Sequence, residues 1–167
     1  MRIEIKNIKH VESMSEETFC FSANLYVDGK KIGAVSNRGH GGCHEYDFNN
    51  DTVRELNQWC KENLPTWSMD DDQEYETDLE MHISNLVADF LDTKHIKKLL
   101  KNSVVVMDDT CKEGECFLYK FSQYKHWQRD ELIRRVVERN SNDERLVNPV
   151  VLNTLSLDEA KNIFYRA

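Results

Sequence analysis

Residues 19–36 constrain the fold more than any other stretch. In FCFSANLYV, the apolar set Phe19, Phe21, Ala23, Leu25 and Val27 alternates with Cys20, Ser22, Asn24 and Tyr26. A period of two marks a strand with one buried face. Asp28-Gly29 follows, a pair suited to a two-residue type I′ turn, where both central residues take positive φ. Such a turn sets Leu25 opposite Ile32 and Ala23 opposite Ala34, so KKIGAVSN is predicted as the return strand.

The pattern extends on both sides. Ile3 and Ile5 offer an earlier strand, and His44, Tyr46 and Phe48 alternate again, so the front reads as an antiparallel β-meander of about three to four strands. Thr52 with Glu55 resembles a capping box for a helix carrying Leu56, Trp59, Cys60 and Leu64, which Pro65 stops. A second helix starts near Asp78 with Leu79, Ile83, Leu86, Val87 and Phe90 on one face. Its stripe slips at Asp92-Thr93, and a separate helical piece follows with Ile96, Leu99 and Leu100 inward. Val104–Val106 and Phe117–Tyr119 read as paired strands across a CKEGEC loop. A helix is expected over 129–139, a strand over Leu146 to Leu152 with Pro149 placing it at an edge, and a final helix capped by Ser156 and Glu159. The fold class is α+β: a meander, then helices, then a mixed α/β C-terminal part.

The chain has 167 residues with 40% hydrophobic content, enough for one α+β domain over 1–167. The alternative is a meander plus helix over 1–65 and a mixed part over 78–167, joined by the acidic stretch 66–77. No apolar run reaches a membrane span, and MRIEIKNIKH lacks the apolar centre of a secretory signal, so a soluble cytoplasmic protein is expected. Five cysteines is an odd number, and reduced thiols fit that expectation better than a disulfide framework. A net charge of −8 disfavours nonspecific nucleic-acid binding, which needs basic surface to release counterions.

Five chemical readings of the sequence are open. The first is NRGHGGCHEY, residues 37–46. Arg38, His40, Gly41 and Gly42 form a candidate anion or nucleotide site, because glycine-rich backbone can turn successive N–H groups inward. It lies between strands, whereas the strong phosphate loops open onto a helix N-terminus, and a tight turn needing positive φ explains the glycines equally. The second is a metal set: Cys43 and His44 with Cys111 and Cys116 can hold a structural zinc if the loops meet. Cys111 and Cys116 can also face each other across a hairpin. The third is nucleophilic catalysis by Cys43 or His40. Cys43 and His44 are neighbours on an extended segment and point to opposite faces, and none of His10, His82, His95 or His126 is singled out as a base. No catalytic constellation is assigned.

The fourth is the acidic run DDDQEYETDLE, whose ordinary meaning is a solvated linker and helix start. Trp67 and Tyr75 stand among its acids, and aromatics amid charge are typical of binding hot spots. Trp67, Asp70, Asp71, Asp72, Glu74 and Tyr75 are therefore the candidate contacts for a protein partner. The fifth is the basic and aromatic stretch 119–135, with Lys120, Lys125, His126, Arg129, Arg134 and Arg135 around Tyr119, Tyr124 and Trp127. It is the one region where nucleic acid enters, by base stacking; otherwise it is a helix start with a salt-laced surface.

LYVDGKKIGAVSNRGHGG resembles small uncharacterised proteins of bacteria and their phages that share a strand, a D/N-G-K turn, a second strand and an N-x-G-x-G-G loop. The resemblance covers about 30 residues of the front. It implies no catalytic residues, and it points to an accessory or anti-defence protein that acts by binding, as an inhibitor does. The expected function is thus a non-enzymatic macromolecule-binding protein, with an anion- or nucleotide-binding protein and a small enzyme as alternatives.

Overall fold

The computed structural model describes residues 1–68 and 73–165, and the fold is α+β. The chain divides into two compact units, Met1–Asp89 and Phe90–Ala167.

In the first unit, β1 (Ile3–His10), β2 (Cys20–Val27), β3 (Lys30–Arg38) and β4 (Glu45–Tyr46) form an antiparallel sheet in chain order. The β2–β3 turn is type I′, with Asp28 at φ 47° and Gly29 at φ 80°. The pairing beyond it differs from the simple two-residue register. Tyr26 faces Lys31, but Leu25 faces Gly33 and Ala23 faces Val35, not Ile32 and Ala34. A bulge at Ile32 is the cause. Gly33 makes it feasible, because a side chain there would meet the Phe48 ring and the Asp47 carboxylate. One inserted residue reverses the faces of everything after it. Val35 and Asn37 therefore join Phe21, Ala23 and Leu25 in the interior.

The first helix, α1 (Asn50–Asn63), starts earlier than the expected capping box. Asn49 is the cap, and its side chain accepts from the Thr52 N–H at 2.8 Å. Leu56 and Cys60 are its buried residues. After Pro65 come two short paired strands, β5 (Trp67–Ser68) and β6 (Glu74–Tyr75). Asp78 caps α2 (Leu79–Asn102) through the Met81 N–H, and Asn57 of α1 accepts from the Leu79 N–H.

The α2 helix is continuous through Asp92-Thr93, where two pieces were expected. The slip in its stripe is a change of buried face: Leu79, Ile83 and Val87 are buried in the first unit and Ile96 in the second. In that second unit β7 (Ser103–Met107) is wholly buried between β8 (Phe117–Lys120) and β9 (Val150–Val151). Val105 and Met107 pack with Ile96, Leu152, Ala160 and Phe164. Val104 and Val106 pack with Leu132, Val136 and Val151. Leu132 and Val136 belong to α3 (Arg129–Ser141), and Ala160 and Phe164 to α4 (Leu157–Tyr165). The strand expected over Leu146 to Leu152 shrinks to β9, because Asn148 takes φ 49° and a 3-10 turn begins at Leu152. Ser156 and Glu159 do form the capping box of α4.

Candidate binding site

Two features of the first unit lie near the N-terminal end of α2, and each is built by residues that the preceding turns hold in place. The first is the β5–β6 hairpin. Trp67 and Tyr75 are cross-strand partners, and their rings stack with centroids 4.9 Å apart. Thr66 donates to Glu74 at 3.1 Å, and the Thr77 hydroxyl donates to the Pro65 carbonyl, closing the base of the hairpin. Asp70, Asp71 and Asp72, expected as contacts, lie outside the described residues.

Beside Trp67 opens a hollow of about 340 Å³ lined also by Glu76, Asp78, Glu80, Met81 and Ser84. Part of this acid serves the fold. Asp78 caps α2, Glu80 sits in the first turn where the helix dipole favours it, and Glu76 pairs with Lys61 at 3.2 Å. The carboxylate field still reaches inward. Burial first, then Glu80 and Asp78, push the Tyr46 hydroxyl well above its ordinary value. Three carboxylates beside an indole face make a place for a cationic side chain.

The second feature is the glycine loop after β3. Its Gly39 takes φ +89°, and a side chain there would collide with the Met14 carbonyl. The Gly39 carbonyl instead accepts from the N–H groups of Glu16, Glu17 and Thr18, fastening the turn before β2. The loop's own donors are used internally. Gly39 N–H donates to Asn37 Oδ1 at 2.8 Å, and Gly41 N–H lies 3.4 Å from Thr18 Oγ1. Arg38 pairs with Glu45 at 3.1 Å and His40 with Glu16 at 3.0 Å. Gly42 gives its carbonyl to Asn37 Nδ2 at 2.7 Å.

Asn37 is only 4% exposed, and its orientation follows from its neighbours. The Gly39 N–H can only donate, so the atom facing it is Oδ1. The Gly42 carbonyl can only accept, so the atom facing it is Nδ2. The second Nδ2 hydrogen faces His44 Nδ1 at 3.1 Å, so that nitrogen carries a lone pair. The His44 proton therefore sits on Nε2, which faces Ser84 Oγ at 3.2 Å. His44 is buried and stands edge-on to Phe21 at 5.2 Å. Burial lowers its pKa below 6.5, against the opposing pull of Glu80 and Asp78.

A serine beside an oriented histidine resembles a nucleophile and its base. The tautomer is the wrong one: the nitrogen facing the serine must be free to take its proton, and here that nitrogen, Nε2, already bears one. The neighbouring Cys43 is exposed while His44 is buried, as their opposite faces require.

The cysteine and basic candidates lie apart from these features in the chain. Cys43 and His44 belong to the first unit, Cys111 and Cys116 to the second. Among the described residues no three His, Cys, Asp or Glu side chains form a group that could hold a metal. Cys111 is buried against Met107 and Phe164 with Cys116 at its side. Burial and the neighbouring Cys111 push the Cys116 thiol up. In 119–135, Tyr119, Phe121, Tyr124 and Trp127 pack against the Val104–Leu132 core. Arg129 donates to the Leu100 and Lys101 carbonyls at 2.6 and 3.0 Å, and Arg134 and Arg135 pair with Glu131. No helix among the described residues is long and apolar enough to cross a membrane.

Comparison with protein-family models, curated proteins and solved structures finds no match to this chain. The sequence offers Glu76, Asp78 and Glu80 as part of an acidic run that could cover a basic partner surface, but it does not show that they line one hollow beside Trp67. Sequence reasoning missed Asn37, Thr18 and Ser84. Asn37 was hidden by the bulge, since the unbulged register turns it to solvent.

Proposed function

We propose that this chain is a binding protein that engages a basic segment of a protein partner through Trp67, Tyr75 and the carboxylate-lined hollow beside them. One observation carries it: a stacked aromatic pair adjoins an open hollow lined by Glu76, Asp78 and Glu80. Rings supply contact area at low entropic cost, and carboxylates steer a cationic partner and reject an acidic one. The resemblance of the front segment to small bacterial and phage proteins favours an accessory protein of the anti-defence kind, acting as an inhibitor by occupying its partner.

The other two readings have less support. The N–H groups of Gly39 and Gly41 already have acceptors, and Arg38 and His40 already have carboxylates, which leaves an anion little to replace. The His44 tautomer withholds the base that Ser84 would need. The test is fluorescence anisotropy with a labelled Arg/Lys peptide and an equally long Asp/Glu peptide. The basic peptide binds, its affinity falls with salt, and Trp67→Ala weakens it roughly 30-fold, a hot-spot loss of about 2 kcal/mol. Equal affinity for both peptides, or a Trp67→Ala variant that binds as tightly, overturns the proposal.

A further inference from the structure

His44 has two candidate partners for one nitrogen. Asn37 Nδ2 lies 3.1 Å from His44 Nδ1 and donates to it, and Glu80 Oε1 lies 3.9 Å from the same atom. A neutral ring can accept from Asn37. A charged ring has hydrogen on both nitrogens and can only donate. We propose that His44 is a proton-operated latch that exchanges Asn37 for Glu80 as the partner of Nδ1, coupling the glycine loop to the acidic hollow.

The consequences follow from what each partner holds. The Asn37 side chain is bonded to Gly39 N–H, Gly42 C=O and the Thr18 hydroxyl, so it organises the whole loop. When His44 gains a proton, two N–H groups face each other and the amide must turn away from the ring. The loop loses its inner fastening at Asn37. On the other side the imidazolium neutralises Glu80, one of the carboxylates lining the hollow. A basic ligand then finds a less negative site. The charged and titratable groups facing His44 are Glu80 of α2, Asp78 at its cap and Tyr46 of β4, with Cys43 and Cys60 of α1 beyond Tyr46. Both carboxylates favour the charged ring and burial opposes it, so the exchange falls below pH 6.5. The weakening of binding rests on the proposed function of the hollow; the exchange of partners does not.

The experiment is a long-range 15N NMR titration of the histidine rings in the full chain from pH 7.5 to 5. At pH 7.5 His44 is expected as the Nε2–H tautomer. Its midpoint lies below 6.5, and the Gly39 and Gly42 amides and the Asn37 side-chain NH2 move with that midpoint. Glu80→Gln removes the waiting carboxylate, so the midpoint moves lower still. An Nδ1–H tautomer at neutral pH overturns the latch, as does a loop whose resonances stay still while His44 titrates. The basic peptide is added to the same samples. Co-titration without peptide binding leaves the latch standing and removes the proposed function. Peptide binding without co-titration does the reverse.

Discussion

In residues 119–135 the cations stand on the faces of the rings, with Arg135 over Trp127 at 4.5 Å and Arg129 over Phe121 at 4.8 Å. In residues 65–80 the rings stand on each other, and the carboxylates line a hollow beside them. Both stretches mix aromatic side chains with charge, and composition alone does not separate them. Their surroundings do. The rings of the basic stretch reach a core made by Val104, Val106, Leu132 and Val136, and its arginines find carbonyls and Glu131. Among the described residues of the acidic stretch, the two short strands pair with each other and the Trp67 ring stacks on Tyr75, while Thr77 and Leu79 are buried. The charges of both stretches find partners, Glu131 and helix carbonyls in one and Lys61 and the start of α2 in the other, so what sets the acidic stretch apart is the hollow that its carboxylates line.

Substitutions that remove a ring or a cation from either side test this distinction. Trp127→Ala has the largest expected effect on stability. The indole packs on the β7 face and stacks on Tyr124 with centroids 5.9 Å apart. Because the ring is only half-buried, the loss is about 2 kcal/mol, below the range for a fully buried tryptophan. That lowers Tm by roughly 4–8 °C in a thermal melt. A melt that does not move would mean the stretch is a free surface after all. Arg129→Ala comes next. Its two bonds to the last carbonyls of α2 act as a C-terminal cap, and their loss costs about 1 kcal/mol. Adding salt should leave that cost largely intact if the bonds hold the fold, and erase it if only a long-range attraction is involved.

Acid distinguishes the two units by their titrating groups. In the first unit burial lowers the pKa of His44 and of His82 below 6.5, and a backbone hydrogen bond to Ile3 only partly offsets it for His82. The unfolded chain therefore binds more protons than the folded one as pH falls below 6.5, and stability drops there. In the second unit, hydrogen bonds from Thr110 first, then Cys111 and Val147, hold the Asp108 carboxyl down to about 2, and Arg145 does the same for Asp143. Their contribution is complete above 3.8 and is lost as pH falls towards 2. Residue-resolved hydrogen exchange, corrected for intrinsic rates, should show protection falling first at Leu56 and Val35 and only later at Val105. Simultaneous loss in both units would remove the distinction.

The hairpin was legible because its two signals are local: alternation in β2 and an Asp-Gly turn. The bulge was not, because it depends on Phe48 arriving against Gly33 from fifteen residues further on. With the bulge went Asn37, the residue that fastens the glycine loop. The α2 helix was legible as helix but not as one piece, since a stripe that changes face imitates a break. In the acidic stretch Trp67 and Tyr75 stood out from composition, but their stacking did not. The hollow was not legible either, because Ser84 and Met81 reach it only once α2 is wound and Asp78 has capped it.

The expected stability effect of Trp67→Ala is no larger than that of Arg129→Ala, and it bears most directly on function. Trp67 is half-buried, as Trp127 is, but its ring neighbour is Tyr75 on a hairpin of two-residue strands. Removing it takes away a stacking pair worth about 1 kcal/mol. A melt should therefore move by much less than for Trp127→Ala, while affinity for the basic peptide falls roughly 30-fold. If the two tryptophans instead cost the same in the melt, Trp67 is holding the fold, and Glu76, Asp78 and Glu80 are left as a helix start with its ordinary complement of acid. If stability holds and affinity falls, the indole is kept at the surface for what it touches outside the chain.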